Sequence, residues 1–383
     1  MWTPGRWPST CASSPTPCAW CCAARTSTAT SRAGSTWRGR PVADHPSVLL
    51  TCAGQRVDIV RAFRDALARR GEGGQVVVSD LDPLSPSLVS ADVVVQLPAV
   101  DDPGYGQAVA DVVHAHDVGA VLPLTDLDPV ILAQAAPLVR HAGGQVFLPA
   151  PEVAAACQDK WLCHEALEGA GLPSPPTWPV DGTDRDALPY PIMIKPCIGF
   201  AGRWIHRCDD REELDFFLSR TPVASVLQRA LPGEEFSIDC LASLDARAIG
   251  AIPRAMYQSK GGEQIKGETL DDPQLVDLAV AVIEGIGLVG ACTIQCFRDG
   301  DRILGVTDIN TRFGGGFPLP LAAGGDYPFL ILVMAAGEDV APQLGTHRAG
   351  VVMTRFLSEH ILVRDGNGLT AVDGHEEAVS GGI

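Results

Sequence analysis

The sequence has no long apolar run and no excess of basic residues. No uninterrupted apolar stretch reaches the roughly 18–20 residues that a membrane-spanning helix needs, so we expect a soluble protein. Its 29 Lys and Arg against 46 Asp and Glu give a net charge of −17. A nucleic-acid scaffold would show a basic stripe or field instead. We therefore expect neither a membrane nor a nucleic acid as a partner.

The patterns of several common enzyme classes are also missing. The 9 histidines are scattered and form no HExxH pattern. The pair Cys18-x-x-Cys21 has neither a second CxxC nor a nearby histidine, which argues against a zinc site. Beyond residue 22 the cysteines lie singly in apolar segments, which is typical of reduced core residues rather than of a disulfide framework. We expect a reducing, cytoplasmic setting.

Residues 1–45 differ in composition from the rest of the chain. They mix Pro, Ser, Thr, Arg, Ala and Trp without a period and contain no acidic residue before Asp44. We interpret them as a disordered leader, or as translation from a start upstream of the true one.

From Ser47 to about residue 150, apolar strands alternate with helical segments. The strands are predicted near 48–52, 75–79, 92–96, 120–124 and 145–148. Such alternation is typical of a parallel sheet with right-handed crossovers, so we predict a Rossmann-like lobe. The first strand runs into Cys52-Ala53-Gly54-Gln55-Arg56, which has one glycine where a dinucleotide fingerprint needs three. An NAD-dependent dehydrogenase is therefore poorly supported.

Polar side chains end two strands of this lobe. Asp80 and Asp126 would face the crevice in which such sheets bind ligands. Helix N-caps or turn residues are an equal alternative for both.

The second half of the chain is predicted to be rich in strands. A single helix over 152–171 carries Lys160 and is followed by a proline-rich passage. The turn Arg298-Asp299-Gly300-Asp301 favours a hairpin between strands at 291–297 and 303–310. If these strands pair, Gln295 faces Asp308. The remaining predicted elements are strands at 192–194, near 203–206, at 225–228 and at 235–242, and helices at 211–219 and 273–286.

The end of the last predicted strand is the most informative stretch. Asp308, Asn310 and Arg312 occupy alternate positions, so on a strand they project from one surface. Carboxylate and amide oxygens suit Mg²⁺, which usually takes one or two carboxylates plus phosphate oxygens, and a guanidinium can pair with a phosphate. Glycines 314–316 would let the backbone approach closely. The alternative is a polar strand end that runs into a surface turn.

Two further residues suit a nucleotide. Lys195 ends an apolar strand and precedes a loop with Gly199 and Gly202, which would close over phosphates. The alternative is an ordinary edge-strand lysine. Glu235 lies on one strand face with Ser237 and Asp239, where its carboxylate would accept ribose hydroxyls, or the face is simply solvated.

In their order along the chain, several motifs resemble the ATP-grasp superfamily, above all stand-alone enzymes similar to the large subunit of carbamoyl-phosphate synthase. The resemblance covers about residues 47–350 and is more specific than any single motif. It implies an α/β protein, with an ATP-grasp fold and a Rossmann-like pre-ATP-grasp N-terminal domain. The motifs are Asp159-Lys160, Pro191-Ile192-Met193-Ile194-Lys195-Pro196, Gln228 with Pro232-Gly233-Glu234-Glu235, Pro253-Arg254, Gln295 and Asp308-Ile309-Asn310-Thr311-Arg312-Phe313-Gly314-Gly315.

The resemblance also implies roles for individual residues. Lys160 and Lys195 would contact ATP phosphates, and Glu235 would hold the ribose. Arg312 would stabilise the transferring phosphoryl group, and Arg254 would face the acceptor, where family members often clamp a carboxylate. The hinge that cups the base would be Gln228, Arg229, Ala230 and Leu231, and the ligands of Mg²⁺, or of Mn²⁺ in its place, would be Gln295, Asp308 and Asn310.

The sequence departs from the family pattern at four positions. Asp308 stands where Glu is common, Thr311 where Pro is usual, Arg229 where an acidic residue is common and Met256 where a second basic residue often follows. The activity implied is that of an ATP-dependent carboxylate–amine ligase acting on small-molecule acids and amines, and homodimers are common in the group. The alternatives are carboxyphosphate chemistry like that of carbamoyl-phosphate synthase, or a non-catalytic nucleotide-binding regulator.

The expected domain organisation follows from the resemblance and the pattern together. The leader spans 1–45 and the N-terminal domain 46–150. A linking helix that starts the central lobe spans 151–188, and a small nucleotide lid spans 189–255. The metal-binding central part spans 256–350, and a C-terminal strand with a tail spans 351–383.

Overall fold

The computed structural model describes residues 47–71, 73–199, 202–261, 263–365 and 368–371. The predicted leader, 1–45, lies outside these residues. None of the helices in the described ranges combines the length and apolarity that crossing a bilayer requires. The described cysteines are all free thiols, and six of the eight are buried, as expected of core residues.

A five-stranded parallel sheet forms the N-terminal lobe, which confirms the Rossmann-like prediction. Its strand order is β3-β2-β1-β4-β5, so the order reverses between β1 and β4. Apolar side chains of the central strands and of α1, such as Leu50 and Phe63, are fully buried in its core. The elements are β1 (Ser47–Thr51), α1 (Val57–Arg70), β2 (Val76–Ser79), α2 (Pro86–Val89), β3 (Val93–Val95), α3 (Tyr105–Ala115), β4 (Val118–Pro123), α4 (Pro129–Ala142) and β5 (Gln145–Val146).

The segment predicted as one helix over 152–171 is instead two helices, α5 (Pro151–Gln158) and α6 (Lys160–Gly169). Asp159 between them is extended, and its carboxylate accepts hydrogen bonds from the backbone of Trp161 and Leu162, at 2.8 and 3.2 Å. This N-cap starts a new helix, and the periodicity alone did not reveal it. The break also frees the backbone N–H of Lys160, which donates to the carbonyl of Cys197 at 2.8 Å.

A four-stranded antiparallel sheet follows, here called the small sheet, with the order β6-β9-β7-β8. It covers its own apolar cluster, which includes Ile192, Ile194 and Leu227. The strand expected near 203–206 begins later, at His206. The elements are β6 (Thr177–Pro179), β7 (Ile192–Pro196), β8 (His206–Cys208), α7 (Arg211–Leu218) and β9 (Ser225–Arg229).

A six-stranded antiparallel sheet, here called the large sheet, has the order β14-β13-β10-β11-β12-β15. The predicted hairpin is confirmed, and the long hairpin β11–β12 was not foreseen. The elements are β10 (Glu234–Ala242), β11 (Ala248–Lys260), β12 (Glu263–Thr269), α8 (Pro273–Ile286), β13 (Gly290–Asp299), β14 (Arg302–Asn310), α9 (Pro318–Ala322), α10 (Tyr327–Ala335) and β15 (Val352–Thr354). A short hairpin, β16 (Leu362–Asp365) with β17 (Gly368–Ala371), ends the described chain.

The two faces of the large sheet differ in character. One face packs α6 and α8 against apolar residues such as Ile238 and Ile294. Because side chains alternate along a strand, Ser237, Gln295 and Asp308 project from the other face. The predicted boundary between residues 255 and 256 falls inside β11, because β10 and the start of β11 belong to the large sheet. The predicted division into domains otherwise stays a prediction.

Candidate active site

Side chains from α6, the small sheet and the large sheet converge on one cleft. The Nζ of Lys160, at the start of α6, lies 3.4 Å from Oδ1 of Asp308 on β14. Lys195, at the end of β7, interacts electrostatically with Asp308, Lys160 and Glu235. Burial lowers the pKa of Lys195 below its ordinary value of 10.5; Asp308 opposes this shift and Lys160 adds to it. The structure therefore brings these four predicted site residues together.

Gln295 links two strands of the large sheet at this cleft. It pairs in register with Ser237 on β10 and with Asp308 on β14. Its amide Nε2 donates to Oε1 of Glu235 at 3.1 Å. Burial raises the pKa of Glu235, and the nearby Lys195 ammonium opposes that shift. Glu235 thus lies beside the predicted metal ligands, and its role at the ribose stays a prediction.

The predicted metal ligands offer oxygen atoms only. Gln295 and Asp308 are paired across β13 and β14, and Asn310 pairs with Thr293 two positions along. The described residues contain no group of three or more His, Cys, Asp or Glu that would hold a metal ion. One carboxylate with two amides is nevertheless a donor set that fits Mg²⁺ when phosphates and water supply the other ligands. A metal site of this kind stays a prediction.

Arg312 follows β14, which ends at Asn310 as predicted. It still lies beside the site, since its Nη2 donates to Oδ1 of Asn310 at 3.2 Å. The same nitrogen pairs with Oδ2 of Asp126 at 2.9 Å, and Nη1 donates to the carbonyl of Phe313 at 3.2 Å. Asp126 was foreseen as a crevice or turn residue and not as a partner of Arg312.

Arg254, the predicted acceptor clamp, is buried within a polar cluster of the large sheet, and the clamp role stays a prediction. Its Nε lies 2.5 Å from Oδ2 of Asp239, and its Nη1 donates to the side chain of Gln264. Asp239 also accepts a hydrogen bond from Thr293 at 3.2 Å. We call Asp239, Arg254, Gln264 and Thr293 the buried polar cluster.

The glycine run after Arg312 packs against this buried polar cluster. A Cβ added to Gly314 would lie 2.5 Å from Oδ1 of Asp239, and one added to Gly316 would lie 2.7 Å from Cζ of Arg254. Contacts this close leave no room for a side chain. The run was expected to let the backbone approach closely, and in the structure Gly314 and Gly316 lie against the cluster.

Arg56 is a site-supporting residue that the sequence did not reveal. It follows β1 in the N-terminal lobe and is buried, with its Nη1 and Nη2 donating to the carbonyls of Phe313 and Gly314 at 2.9 and 3.0 Å. The Asp58 carboxylate pairs with the same guanidinium at 3.2 Å. The N-terminal lobe therefore fixes the backbone immediately after Arg312. A separation of 257 residues left no local signal for this contact.

The predicted hinge, residues 228–231, connects the last strand of the small sheet to the first strand of the large sheet. Gln228 is buried, and its Nε2 donates to the hydroxyl of Thr177 at 3.1 Å. The backbone N–H of Arg229 and that of Ala230 donate to the carbonyls of Pro176 and Pro191. The segment is placed as a hinge would be, while contacts of Gln228, Arg229, Ala230 and Leu231 with a nucleotide stay predictions.

The first turn of the N-terminal lobe is already hydrogen-bonded to a carboxylate of the protein itself. The backbone N–H of Gly54 donates to the Asp80 carboxylate at 2.6 Å. A dinucleotide would place its phosphates near this turn, where the carboxylate would repel them. This contact agrees with the poor dinucleotide fingerprint.

Two family models match the chain. The model described as the PylC-like N-terminal domain matches residues 48–147. The model described as ATP-grasp in the biosynthetic pathway with Ter operon matches residues 221–356.

Solved structures share the fold over most of the chain. The biotin carboxylase domain dimer of a 2-oxoglutarate carboxylase from Hydrogenobacter thermophilus, with MgADP, ADP and bicarbonate, is 19% identical with a TM-score of 0.64, over 80% of this chain and 73% of that one. N5-carboxyaminoimidazole synthetase from Staphylococcus aureus, solved with ADP, is 16% identical with a TM-score of 0.63. The match covers 78% of this chain and 79% of the synthetase. An L-amino acid ligase from Bacillus licheniformis is 17% identical with a TM-score of 0.61. The match covers 77% of this chain and 76% of the ligase.

At these identities the solved structures establish the fold. The family models independently match the N-terminal lobe and all six strands of the large sheet. The chain has an ATP-grasp fold, and its residues 221–356 match a family model of ATP-grasp proteins.

Proposed function

We propose that the protein is an ATP-dependent ligase that joins a small-molecule carboxylate to an amine. The observation that carries this proposal is the meeting of Lys160 and Lys195 with the oxygen-bearing side chains of Gln295, Asp308 and Asn310 in one cleft. Cations beside a set of hard oxygen ligands suit a metal-bound polyphosphate. The relatives of the same fold include an amino acid ligase and two proteins solved with ADP.

The reaction has two steps. An oxygen of the substrate carboxylate attacks the γ-phosphorus of ATP, the bond to the β-phosphate oxygen breaks, and ADP leaves with that electron pair. The amine nitrogen then attacks the acyl phosphate, phosphate leaves, and the nitrogen loses a proton to give an amide. Both steps need positioning and charge neutralisation more than a protein nucleophile.

The chain's own residues supply most of what these steps need. Lys160 and Lys195 neutralise phosphate charge in a partly desolvated cleft, where a charge acts more strongly than in water. Arg312 stabilises the charge on the transferring phosphoryl group, and Arg254 serves the acceptor side. Gln295, Asp308 and Asn310 would hold Mg²⁺ or Mn²⁺, which would supply further charge neutralisation when bound. A homodimer stays a prediction.

The test is a screen of carboxylic acids and amines, amino acids first, with ADP release as the readout. A ligase releases ADP only when both a suitable acid and a suitable amine are present. ATP binding without turnover under any pair would support the nucleotide-binding regulator instead. ADP release that depends on bicarbonate would support the carboxyphosphate alternative.

Asp308→Asn is expected to weaken the dependence on magnesium. The substitution keeps the size of the side chain and an oxygen ligand but removes the negative charge, so about 10- to 100-fold more Mg²⁺ should be needed for half-maximal activity. A magnesium titration of ADP release measures this shift. Asp301→Asn, in the exposed turn of the same hairpin, is the matched control and should leave the titration unchanged. An unaltered titration in Asp308→Asn would remove Asp308 from the metal site.

Activity is expected to fall on the alkaline side as Lys195 loses its proton. Burial lowers the pKa of Lys195, so its charge is present below that pKa and is lost as the pH rises through it, at a pH below 10.5. Lys195→Arg keeps the charge to higher pH because a guanidinium stays protonated. The fall of kcat/KM for ATP at alkaline pH should therefore occur at a higher pH in Lys195→Arg than in the wild type. The exposed Lys260→Arg should leave it in place, and identical limbs in all three proteins would contradict the assignment.

A further inference from the structure

Arg312 is held by a carboxylate from a different part of the fold. Asp126 follows β4 at the edge of the N-terminal sheet, 186 residues earlier in the chain than Arg312. Its Oδ2 lies 2.9 Å from Nη2 of Arg312, and the side chains are 29% and 18% exposed. The ion pair is therefore largely shielded from solvent. Water and salt weaken a shielded pair less than an exposed one.

The contacts of Arg312 fix the direction of its guanidinium. Nη2 is shared between Asp126 and Asn310, and Nη1 is bound to the carbonyl of Phe313. An arginine side chain without such contacts samples many rotamers. Its guanidinium then points toward the phosphoryl group only part of the time, which reduces catalysis. Of these three acceptors, only Asp126 carries a charge.

Asp126 is itself fixed to the part of the chain that delivers Lys160. Its backbone carbonyl accepts a hydrogen bond from Nε2 of Gln158 at 2.8 Å, and Gln158 ends α5 immediately before the Asp159 cap. Asp126, Gln158 and Lys160 line the same cavity as Asp308 and Asn310. The carboxylate thus lies at the cleft and not merely at a contact between lobes.

We propose that Asp126 is a positioning residue that orients Arg312 toward the transferring phosphoryl group. This inference rests on the proposed function and deepens it, because it gives the N-terminal lobe a part in the phosphoryl-transfer step. Arg56 supports the same segment by binding the carbonyls of residues 313 and 314. Asp126 acts on the side chain of Arg312 and Arg56 on the backbone that follows it.

The chain provides a matched control for a purely structural contact between the same parts. Arg69 at the end of α1 forms a two-pronged pair with Asp326, which precedes α10. This pair also joins the N-terminal lobe to the segment between β14 and β15, but neither residue lines the cleft cavity. Asp326→Asn therefore removes a similar ion pair without touching Arg312.

The experiment compares Asp126→Asn, Asp126→Glu and Asp326→Asn with the wild type. We expect Asp126→Asn to lower kcat by about 10- to 100-fold without changing KM for ATP. Its affinity for MgADP should be unchanged, while its affinity for MgADP with aluminium fluoride, a mimic of the transferring phosphoryl group, should fall by a similar factor. Asp126→Glu should recover part of both losses. Asp326→Asn should behave as the wild type in every measurement, and melting curves check that all variants fold.

A double-variant cycle separates orientation of Arg312 from any other effect of Asp126. If Asp126 acts through Arg312, the double variant Asp126→Ala/Arg312→Ala should be no slower than Arg312→Ala alone. Losses that multiply would overturn the proposal, as would equal aluminium fluoride affinities in Asp126→Asn and the wild type. If the wild type releases no ADP with any acid and amine, the ligase proposal fails, and the binding comparison still decides the role of Asp126.

Discussion

Lys195→Ala should reduce ATP turnover by about three orders of magnitude or more, the range that a phosphate-binding cation contributes to phosphoryl transfer. The ammonium lies at the end of β7, mostly buried, with Asp308, Lys160 and Glu235 as its electrostatic neighbours. Alanine removes this charge, and the neighbouring cation Lys160 is already paired with Asp308.

The fold should survive this substitution. Burial opposes the charge of Lys195, so removal of that charge relieves a desolvation cost at the same time as it removes the attraction to Asp308. Steady-state ADP release measures the activity, and a thermal melting curve that matches the wild type shows that the loss is not one of folding. The exposed Lys260→Ala serves as the control. Retained turnover in Lys195→Ala would take Lys195 out of the site.

Elements with local start and stop signals were predicted closely. The helix α8 has the predicted bounds, Pro273–Ile286, because the Asp272 side chain caps its first turn and Gly287 ends it in a left-handed conformation. The pairing of Gln295 with Asp308 followed from a turn signal at residues 298–301. In both cases the information lies within a few residues of the feature.

The features that were missed depend on contacts between distant parts of the chain. The break at Asp159 combines a local cap with a hydrogen bond from Lys160 to the carbonyl of Cys197, and helical periodicity says nothing about that loop. The partners Arg56 with Phe313 and Asp126 with Arg312 are far apart in sequence. A single sequence gives the residue types at these positions but not which of them meet.

The roles of the predicted site residues stay predictions, but the structure shows which of these residues lie near one another. Lys160, Lys195, Glu235, Gln295 and Asp308 do share a cleft, as the motif order implied. The sequence did not reveal which carboxylates pair with the site arginines. In the structure Asp126 forms an ion pair with Arg312, and Asp239 forms one with Arg254. These pairings change what each arginine is free to do.

Arg254→Met should destabilise the protein by about 3–5 kcal/mol, the usual cost of removing one partner of a buried ion pair. The side chains of Arg254 and Asp239 are only 4% and 2% exposed, and their closest atoms are 2.5 Å apart. Methionine leaves the Asp239 carboxylate without its charged partner in the interior of the large sheet. Urea unfolding at neutral pH measures the change in the free energy of unfolding.

A second variant separates the lost pair from lost packing. In Arg254→Met/Asp239→Asn the charge that was left uncompensated is also removed, so a substantial part of the stability should return. The two residues lie on paired strands, β11 and β10, and are bonded directly to each other, so the effects of the two substitutions should not be additive. Additive losses would show that the pair does not account for the destabilisation.

The same variants decide between a structural role for Arg254 and the predicted clamp on an acceptor carboxylate. A clamp must offer guanidinium nitrogens to the substrate, yet Nε and Nη1 already bind Asp239 and Gln264. A structural role predicts that the stabilised double variant regains ADP release together with its stability. A clamp predicts that activity stays lost, with a raised KM for the acid, even where the fold is restored. Because Gly314 and Gly316 pack on this cluster, any loss there also reaches the backbone after Arg312.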